Sequence, residues 1–276
     1  MAVPSILRIT CKNPSPMTLE GTNTYVIGTE GAPEAVVVDP GPQGHRDHLR
    51  AVLDAVGERS VTEILVTHRH GDHTGAAKEL SARTGAPVRG YDAEQCVPVQ
   101  GTVLPLMDGE EILAGGLAMQ VLHTPGHTSD SVCLWLPGAH SEDAGGQPSR
   151  EPGVMLTGDT VLGRGTTMLD HPDGTLTDYL ETLRLLAGFG DVGMLPAHGP
   201  ARESLGQVAA RYLDHREERL QQARELAAEH RARSGRLPEP LELGRMIYGD
   251  RTAVSDEVIR QIAASQLDHL RDLGEL

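Results

Sequence analysis

The chain has 276 residues, enough for one large domain with an appendage or for two domains. No apolar run approaches the roughly 20 residues that span a bilayer, and Met1 to Thr10 carries Pro4 and Arg8 without a sustained apolar core, so neither a membrane span nor a signal peptide is expected. The formal charge is −15, of which residues 1–199 hold −13 (12 basic, 25 acidic) and residues 200–276 hold −2 (12 Arg, 14 acidic); such a chain does not attract phosphate backbones non-specifically, which weakens a nucleic-acid substrate without excluding it.

Three cysteines, Cys11, Cys96 and Cys133, suggest neither a disulfide framework nor a cysteine-based zinc knuckle, and a reducing cytoplasm is the natural setting. With one Trp and one Phe, the core must be mostly aliphatic.

In chain order, short strands are expected at Ile6–Cys11, Thr24–Ile27 and Ala35–Val38. Between the first two lies a loop rich in proline and glycine, residues 13–23. The third strand ends in Asp39-Pro40-Gly41-Pro42, where Asp39 reads equally as a turn former or as an acceptor that orients a metal-binding histidine. Residues His45 to Gly57 read as a helix, with Leu49, Val52, Leu53 and Val56 at three- and four-residue steps. Ile64-Leu65-Val66 reads as a buried strand, and Thr74 to Leu80 as the opening of a helix. Further strand candidates are Pro87-Val88, Val103-Leu104, Leu117–Leu122, Val132–Leu136, Val154–Thr157 and the run from Val192, with a helix at about Leu176 to Ala187. Residues 138–153, polar and glycine-rich, are expected to form a mobile hairpin loop.

The tail differs. Leu205 to about Arg233 reads as a long Arg/Glu-rich helix with a narrow apolar stripe of Val208, Tyr212, Leu220 and Leu226, stopped by Gly235 and Pro238. A short helix at Pro240–Tyr248 follows, then one capped at Ser255 that runs towards Leu273 with Val258, Ile262, Leu267 and Leu270 inward. The expected division is 1–203 for an α/β sandwich of two packed sheets with helices outside, and 204–276 for a small helical, winged-helix-like domain.

The chemistry concentrates in Thr67-His68-Arg69-His70-Gly71-Asp72-His73, between a strand and a helix. Imidazole and carboxylate suit zinc and its neighbours. His68 and His70 alternate on an extended segment and can face one metal. Asp72 and His73 come where the chain has turned and can serve a second. His127, Asp159 and His198 arrive from other strand ends, and Asp159, a carboxylate, is the natural bridge. Two metals with a bridging water of lowered pKa would make a hydrolytic site. His123 lies on the strand side of Pro125 and is passed over in favour of His127; His45, His48, His140, His171, His215, His230 and His269 read as surface residues.

This set, His68-x-His70-x-Asp72-His73 with His127, Asp159 and His198, resembles the metallo-β-lactamase superfamily over residues 24–199. The resemblance implies an αββα sandwich with a two-metal site on one edge. Carried over residue by residue, the first metal takes His68, His70 and His127, the second takes Asp72, His73 and His198, and Asp159 bridges. Class B β-lactamases commonly place cysteine where this chain has Asp159, flavodiiron proteins place Glu where it has His70, and the cap domain of CPSF-type nucleases is not evident.

Residues 13–25, the segment Gly163-Arg164-Gly165-Thr166-Thr167 and the helical tail are similar to the β-lactamase-like-protein-2 subfamily. That subfamily includes a single-stranded-RNA endoribonuclease and fungal thioesterases that release polyketides from acyl carrier protein. It implies Asn23 and Thr166 as substrate contacts, beside loop-stabilising roles for both. The chain stops at Leu276, where a full winged helix would continue into a hairpin.

The expected function is therefore a binuclear zinc-dependent hydrolase (two Zn²⁺ per chain, with Mn²⁺ or Fe²⁺ possible) using a metal-bridging hydroxide. Asp72 would orient that hydroxide and hand a proton to the leaving group. The expected substrate is a small-molecule or carrier-bound acyl thioester or ester. The alternatives are single-stranded RNA cleavage and a non-catalytic, metal-stabilised binding module.

Overall fold

The computed structural model describes residues 4–98, 102–139, 153–249 and 255–276. Most of the expected 138–153 hairpin loop, and His140, lie outside the described residues. The chain forms two compact units: Met1–Thr124 with Asp130–Thr167 and Phe189–Gln207, and Pro125–Ser129 with Met168–Gly188 and Val208–Leu276. The division expected at 203/204 follows chain order, whereas these units interleave along it.

The first unit holds two five-stranded sheets. One has the order β1 (Pro4–Thr10), β2 (Asn23–Thr29), β3 (Glu34–Val38), β4 (Ser60–Leu65), β5 (Val88–Arg89). The other runs β10 (Gly193–Pro196), β9 (Gly153–Gly158), β8 (Val132–Pro137), β7 (Leu117–His123), β6 (Glu111–Ala114). The period-two alternation of strands sorts each side chain to one face. Tyr25, Ile27, Val36, Val38 and Leu65 of the first sheet meet Met119, Val121, Leu134, Leu156 and Leu195 of the second in one aliphatic core. The intervening Val26, Val37 and Ile64 face the other way, onto Leu49, Val52 and Val56 of α1 (Arg46–Val56) and Leu80 of α3 (Ala77–Thr84). Three- and four-residue spacing puts the buried residues of α1 on one stripe, and that stripe covers the sheet.

Three sequence expectations need correction in this unit. Val103 and Leu104 are irregular, and the strand in that region is β6, at Glu111–Ala114; a two-residue apolar run carries too little pattern to distinguish strand from coil. The helix expected from Thr74 is two helices, a single turn α2 (Gly71–Thr74) and then α3. His48 is buried rather than on the surface, because α1 turns it towards Thr24, whose Oγ1 lies 2.8 Å from its Nε2.

Pairing direction positions the site. β3 and β4 are parallel, as are β9 and β10. Each parallel pair brings two C-terminal strand ends side by side, and those ends carry Asp39, Thr67-His68, Asp159 and His198. The sheets are stitched at this edge by Asn23 N–H to the Ala197 carbonyl (2.7 Å) and Val132 N–H to the Thr67 carbonyl (2.9 Å).

In the second unit the described residues form helices α4 (Leu176–Ala187), α5 (Leu205–Ser234, starting in the first unit), α6 (Pro240–Tyr248) and α7 (Asp256–Asp272), with no strand among them. The starts of α4, α6 and α7 are capped: Thr175 and Ser255 accept from Asp178 N–H and Val258 N–H, and Glu239 and Glu242 form a reciprocal box around Pro240. Ala223, Ala227, Leu243, Ala263 and Leu267 make a small core. The stripe expected on α7 is shifted at its start, with Ile259 and Ala263 buried rather than Val258 and Ile262. His269, expected on the surface, is buried, its Nδ1 2.7 Å from Thr177 Oγ1.

Candidate metal centre

β4 ends at Leu65, the chain bends through residues 67–69, and His70, in an extended conformation (φ −63°, ψ 141°), precedes the single turn α2. His68 lies in that bend rather than on a continuous extended segment, because the chain turns after β4; His70 follows it, and Asp72 and His73 sit on the helical turn. His68 Nε2 and His70 Nδ1 are 3.0 Å apart. Two nitrogen ligands at tetrahedral zinc, each about 2.0–2.1 Å from the ion, stand about 3.4 Å apart, so this spacing suits a shared cation.

Asp39 follows β3 with φ 50°, a left-handed conformation that aspartate tolerates better than most residues. Its carboxylate is fully engaged. Oδ1 accepts from Thr67 N–H (2.8 Å), and Oδ2 accepts from Thr67 Oγ1 (2.8 Å) and His73 Nδ1 (2.9 Å). Of the two sequence readings of Asp39, the geometry supplies the orienting acceptor. Because Nδ1 of His73 donates there, its Nε2 is the nitrogen left for a metal. That Nε2 is buried without a hydrogen bond, 3.4 Å from Asp72 Oδ2 and 3.7 Å from Asp159 Oδ2.

His198 is built the same way. Its Nδ1 lies 3.1 Å from the Gly21 carbonyl, and its Nε2 stands 3.2 Å from Asp72 Oδ2 and 3.3 Å from Asp159 Oδ1. Asp72, His73 and His198 each offer one ligand atom within 4.8 Å of the others, and so do His68, His73 and Asp159. Asp159 thus touches both groupings, one oxygen towards His198 and the other towards His73.

The charges follow from this crowding. Burial opposes ionisation of Asp159, but the facing His73 and His198 outweigh it and hold the carboxyl well below the usual range. Burial likewise opposes the charge on Asp72, and the facing His198 and His73 imidazoles override it downward. Burial would depress His73, yet Asp159 and Asp39 raise it well above 6.5; His198, also buried, is pushed up to about 9 chiefly by Asp159. Protons on the imidazoles here balance carboxylates that a cation would balance instead. A buried imidazole nitrogen without a hydrogen bond, aimed between two carboxylates, with its partner nitrogen already tied, is the arrangement a metal ligand needs. These residues fit a metal.

The remaining predicted residues fall as follows. His127 belongs to the second unit, where its Nδ1 contacts the Met168 carbonyl at 2.5 Å. Asn23 is buried; its amide donates to the Pro196 (2.9 Å) and Gly199 (3.0 Å) carbonyls and its oxygen accepts from Thr10 Oγ1 (2.7 Å), so its polar atoms tie β2 to the His198 loop. Thr166 is exposed, and its neighbour Thr167 donates to the Asp159 carbonyl at 2.6 Å. His123 stacks on Tyr91 with ring centroids 3.9 Å apart. Sequence reasoning missed Thr67, Gly21, Thr22 and Asn13, which hold the ligands. Only the position of Thr67, immediately before the cluster, signals its role.

A mixed α/β fold of two sheets and helices, with histidine and aspartate groups able to bind metals at one sheet edge, defines a metal-binding class. The sequence matches the Metallo-beta-lactamase superfamily over residues 17–198. It is 32% identical over 253 residues to an atrochrysone carboxyl ACP thioesterase of Passalora fulva, covering 89% of this chain and 68% of that protein. It is 28% identical over 232 residues to the beta-lactamase-like protein 2 homolog of Caenorhabditis elegans, covering 82% and 72%. Among solved structures, a metallo-beta-lactamase family protein from Thermus thermophilus superposes with a TM-score of 0.72 at 23% identity, covering 98% of this chain and 94% of that one. The chain belongs to the metallo-beta-lactamase superfamily.

Proposed function

We propose that this metal-dependent hydrolase is a binuclear zinc enzyme that cleaves acyl thioesters or esters, on a carrier or as small molecules. The carrying observation is that Asp72, His73 and His198 converge within 4.8 Å, with Asp159 3.7 Å from His73 and 3.3 Å from His198 and also within 4.8 Å of a ligand atom of His68. Likeness to a thioesterase supports the substrate class, and the net charge of −15 argues against a phosphate-backbone substrate. His68, His70 and His127 would hold one ion, and Asp72, His73 and His198 the other, with Asp159 between them. Nδ1 of His127 is tied to the Met168 carbonyl. When bound, such ions acidify water and polarise a carbonyl oxygen.

The protein's own part is proton handling and orientation. Asp72 is the more open of the two carboxylates, its side chain 28% exposed against 13% for Asp159. It takes the proton of the attacking water and returns it to the departing thiolate, so that thioester and water become carboxylic acid and thiol. Thr166, exposed on the loop whose Thr167 anchors Asp159, is the substrate-facing residue; Asn23 acts by holding the His198 loop. Burial pushes the thiol pKa values of Cys11 and Cys133 up to about 11, which keeps both protonated and unreactive; no helix of the described residues is long and apolar enough to cross a membrane.

Metal analysis of purified protein should give about two ions per chain, and thiol release from an acyl thioester should disappear in Asp72→Ala. Well under one ion, with no activation by added Zn²⁺ or Mn²⁺, would sink the reading. Cleavage of a labelled single-stranded RNA without thioester turnover would replace its substrate.

A further inference from the structure

The loop before β2 does more than edge the site. Asn13 Oδ1 accepts from Thr22 N–H at 2.9 Å, which fixes the orientation of the Asn13 amide. Its Nδ2 must then be the donor to Thr22 Oγ1, at 3.0 Å. The Thr22 hydroxyl has one proton, and with Asn13 supplying its own, that proton points to the other neighbour, Asp72 Oδ2, at 3.3 Å. Thr22 is fully buried. Its backbone is pinned on both sides, by Cys11 N–H to the Thr22 carbonyl (2.8 Å) and Asn23 N–H to the Ala197 carbonyl (2.7 Å). The preceding carbonyl, of Gly21, accepts from His198 Nδ1. Two consecutive residues of one loop therefore orient two ligands of one grouping, Asp72 and His198, while His73 of the same grouping is oriented separately by Asp39.

We propose that Thr22 is a positioning residue for the metal position formed by Asp72, His73 and His198. Its hydroxyl, aligned by Asn13, limits rotation of the Asp72 carboxylate and so sets how tightly that position holds a cation. The Thr22 hydroxyl reaches Asp72, whereas His68 has its own hydroxyl neighbour, Thr67 Oγ1 at 3.1 Å from its Nδ1, so the effect of Thr22 is assigned to one of the two positions. The inference rests on the two-metal reading above. A carboxylate held by a neighbouring donor is a better ligand because less rotational freedom is lost on binding, and removing partners of this kind typically costs 10–100-fold in metal affinity.

The test uses the full chain, stripped of metal by chelation and titrated with Zn²⁺ alone in competition with a chromophoric chelator. Wild type should show two binding steps. Thr22→Val, which removes only the hydroxyl, should weaken one step about tenfold or more and leave the other within about twofold; Thr22→Ser should restore both. Equal weakening of both steps, no change in either, or failure of the serine variant to restore binding would overturn the proposal while leaving the two-metal reading intact. Fewer than two steps in wild type would instead overturn that reading, and this proposal with it. Should the valine variant lose its cooperative melt, Thr22→Ala is measured in its place against the same outcomes.

Discussion

At the residue scale, the site depends on side chains and carbonyls that never touch a metal. Asp39 is held in a left-handed conformation so that one carboxylate can bind the Thr67 amide, the Thr67 hydroxyl and His73 together. Asp39→Asn keeps the shape and loses the charge; it is expected to keep the fold and lower hydrolytic activity about 10–100-fold, read as kcat/KM beside an unchanged circular dichroism spectrum. Gly21 has φ +137°, and a Cβ there would lie 1.8 Å from the Cys11 carbonyl oxygen. Gly21→Ala must move the carbonyl that orients His198, and a loss of about 2–4 kcal/mol in urea unfolding is expected, from backbone strain and clash.

At the element scale, α1 and α3 cover the outer face of the first sheet, and their packing holds the strand ends in register. Leu80 of α3 is fully buried on that face. Leu80→Ala should cost about 2–5 kcal/mol by the lost transfer term and the cavity left behind, measured by denaturant unfolding. α1 also carries a titrating group. Burial, with His45 nearby, lowers the pKa of His48 to about 4 from 6.5. The unfolded chain therefore binds the proton first, and stability falls as pH drops from about 6.5 towards 4, the contribution being fully present above that range. Comparing urea midpoints at pH 7.5 and pH 5, the decrease should be larger in wild type than in His48→Gln; an equal decrease would mean that this group does not couple to folding.

At the scale of the whole molecule, charge is unevenly placed: residues 1–199 carry −13 of the −15. The candidate metal centre collects Asp39, Asp72 and Asp159 within that acidic portion, so cations bound there would relieve repulsion between them. Removing metal with a chelator should lower the melting temperature, and restoring Zn²⁺ should raise it in a concentration-dependent way, as for any ligand that binds only the folded state. A melting temperature indifferent to chelator would remove the metals from the stability of the fold.

The sequence by itself determined the chemistry. The candidate ligand set is local in part, His68 to His73 in six residues, and its remaining members each follow a short apolar strand, so residue type and strand pattern were enough to nominate them. It also determined the two-sheet layout, because period-two alternation in strands and three- and four-residue steps in α1 are written in the chain. Tertiary structure alone decided what orients those ligands. Gly21 and Thr22 lie 177 and 50 positions from the His198 and Asp72 they contact, and no local pattern encodes pairing over such separations. Chain order also gave no hint that Pro125–Ser129 would group with the helical unit: Gly126, at φ +136°, is packed so closely on Tyr179 of α4 that a Cβ would stand 2.5 Å from its Cα. A hydrophobic period reports which face is buried. What that face or loop meets is set by the packing of segments distant in sequence, and there the hydrogen bonds that hold each candidate ligand were decided.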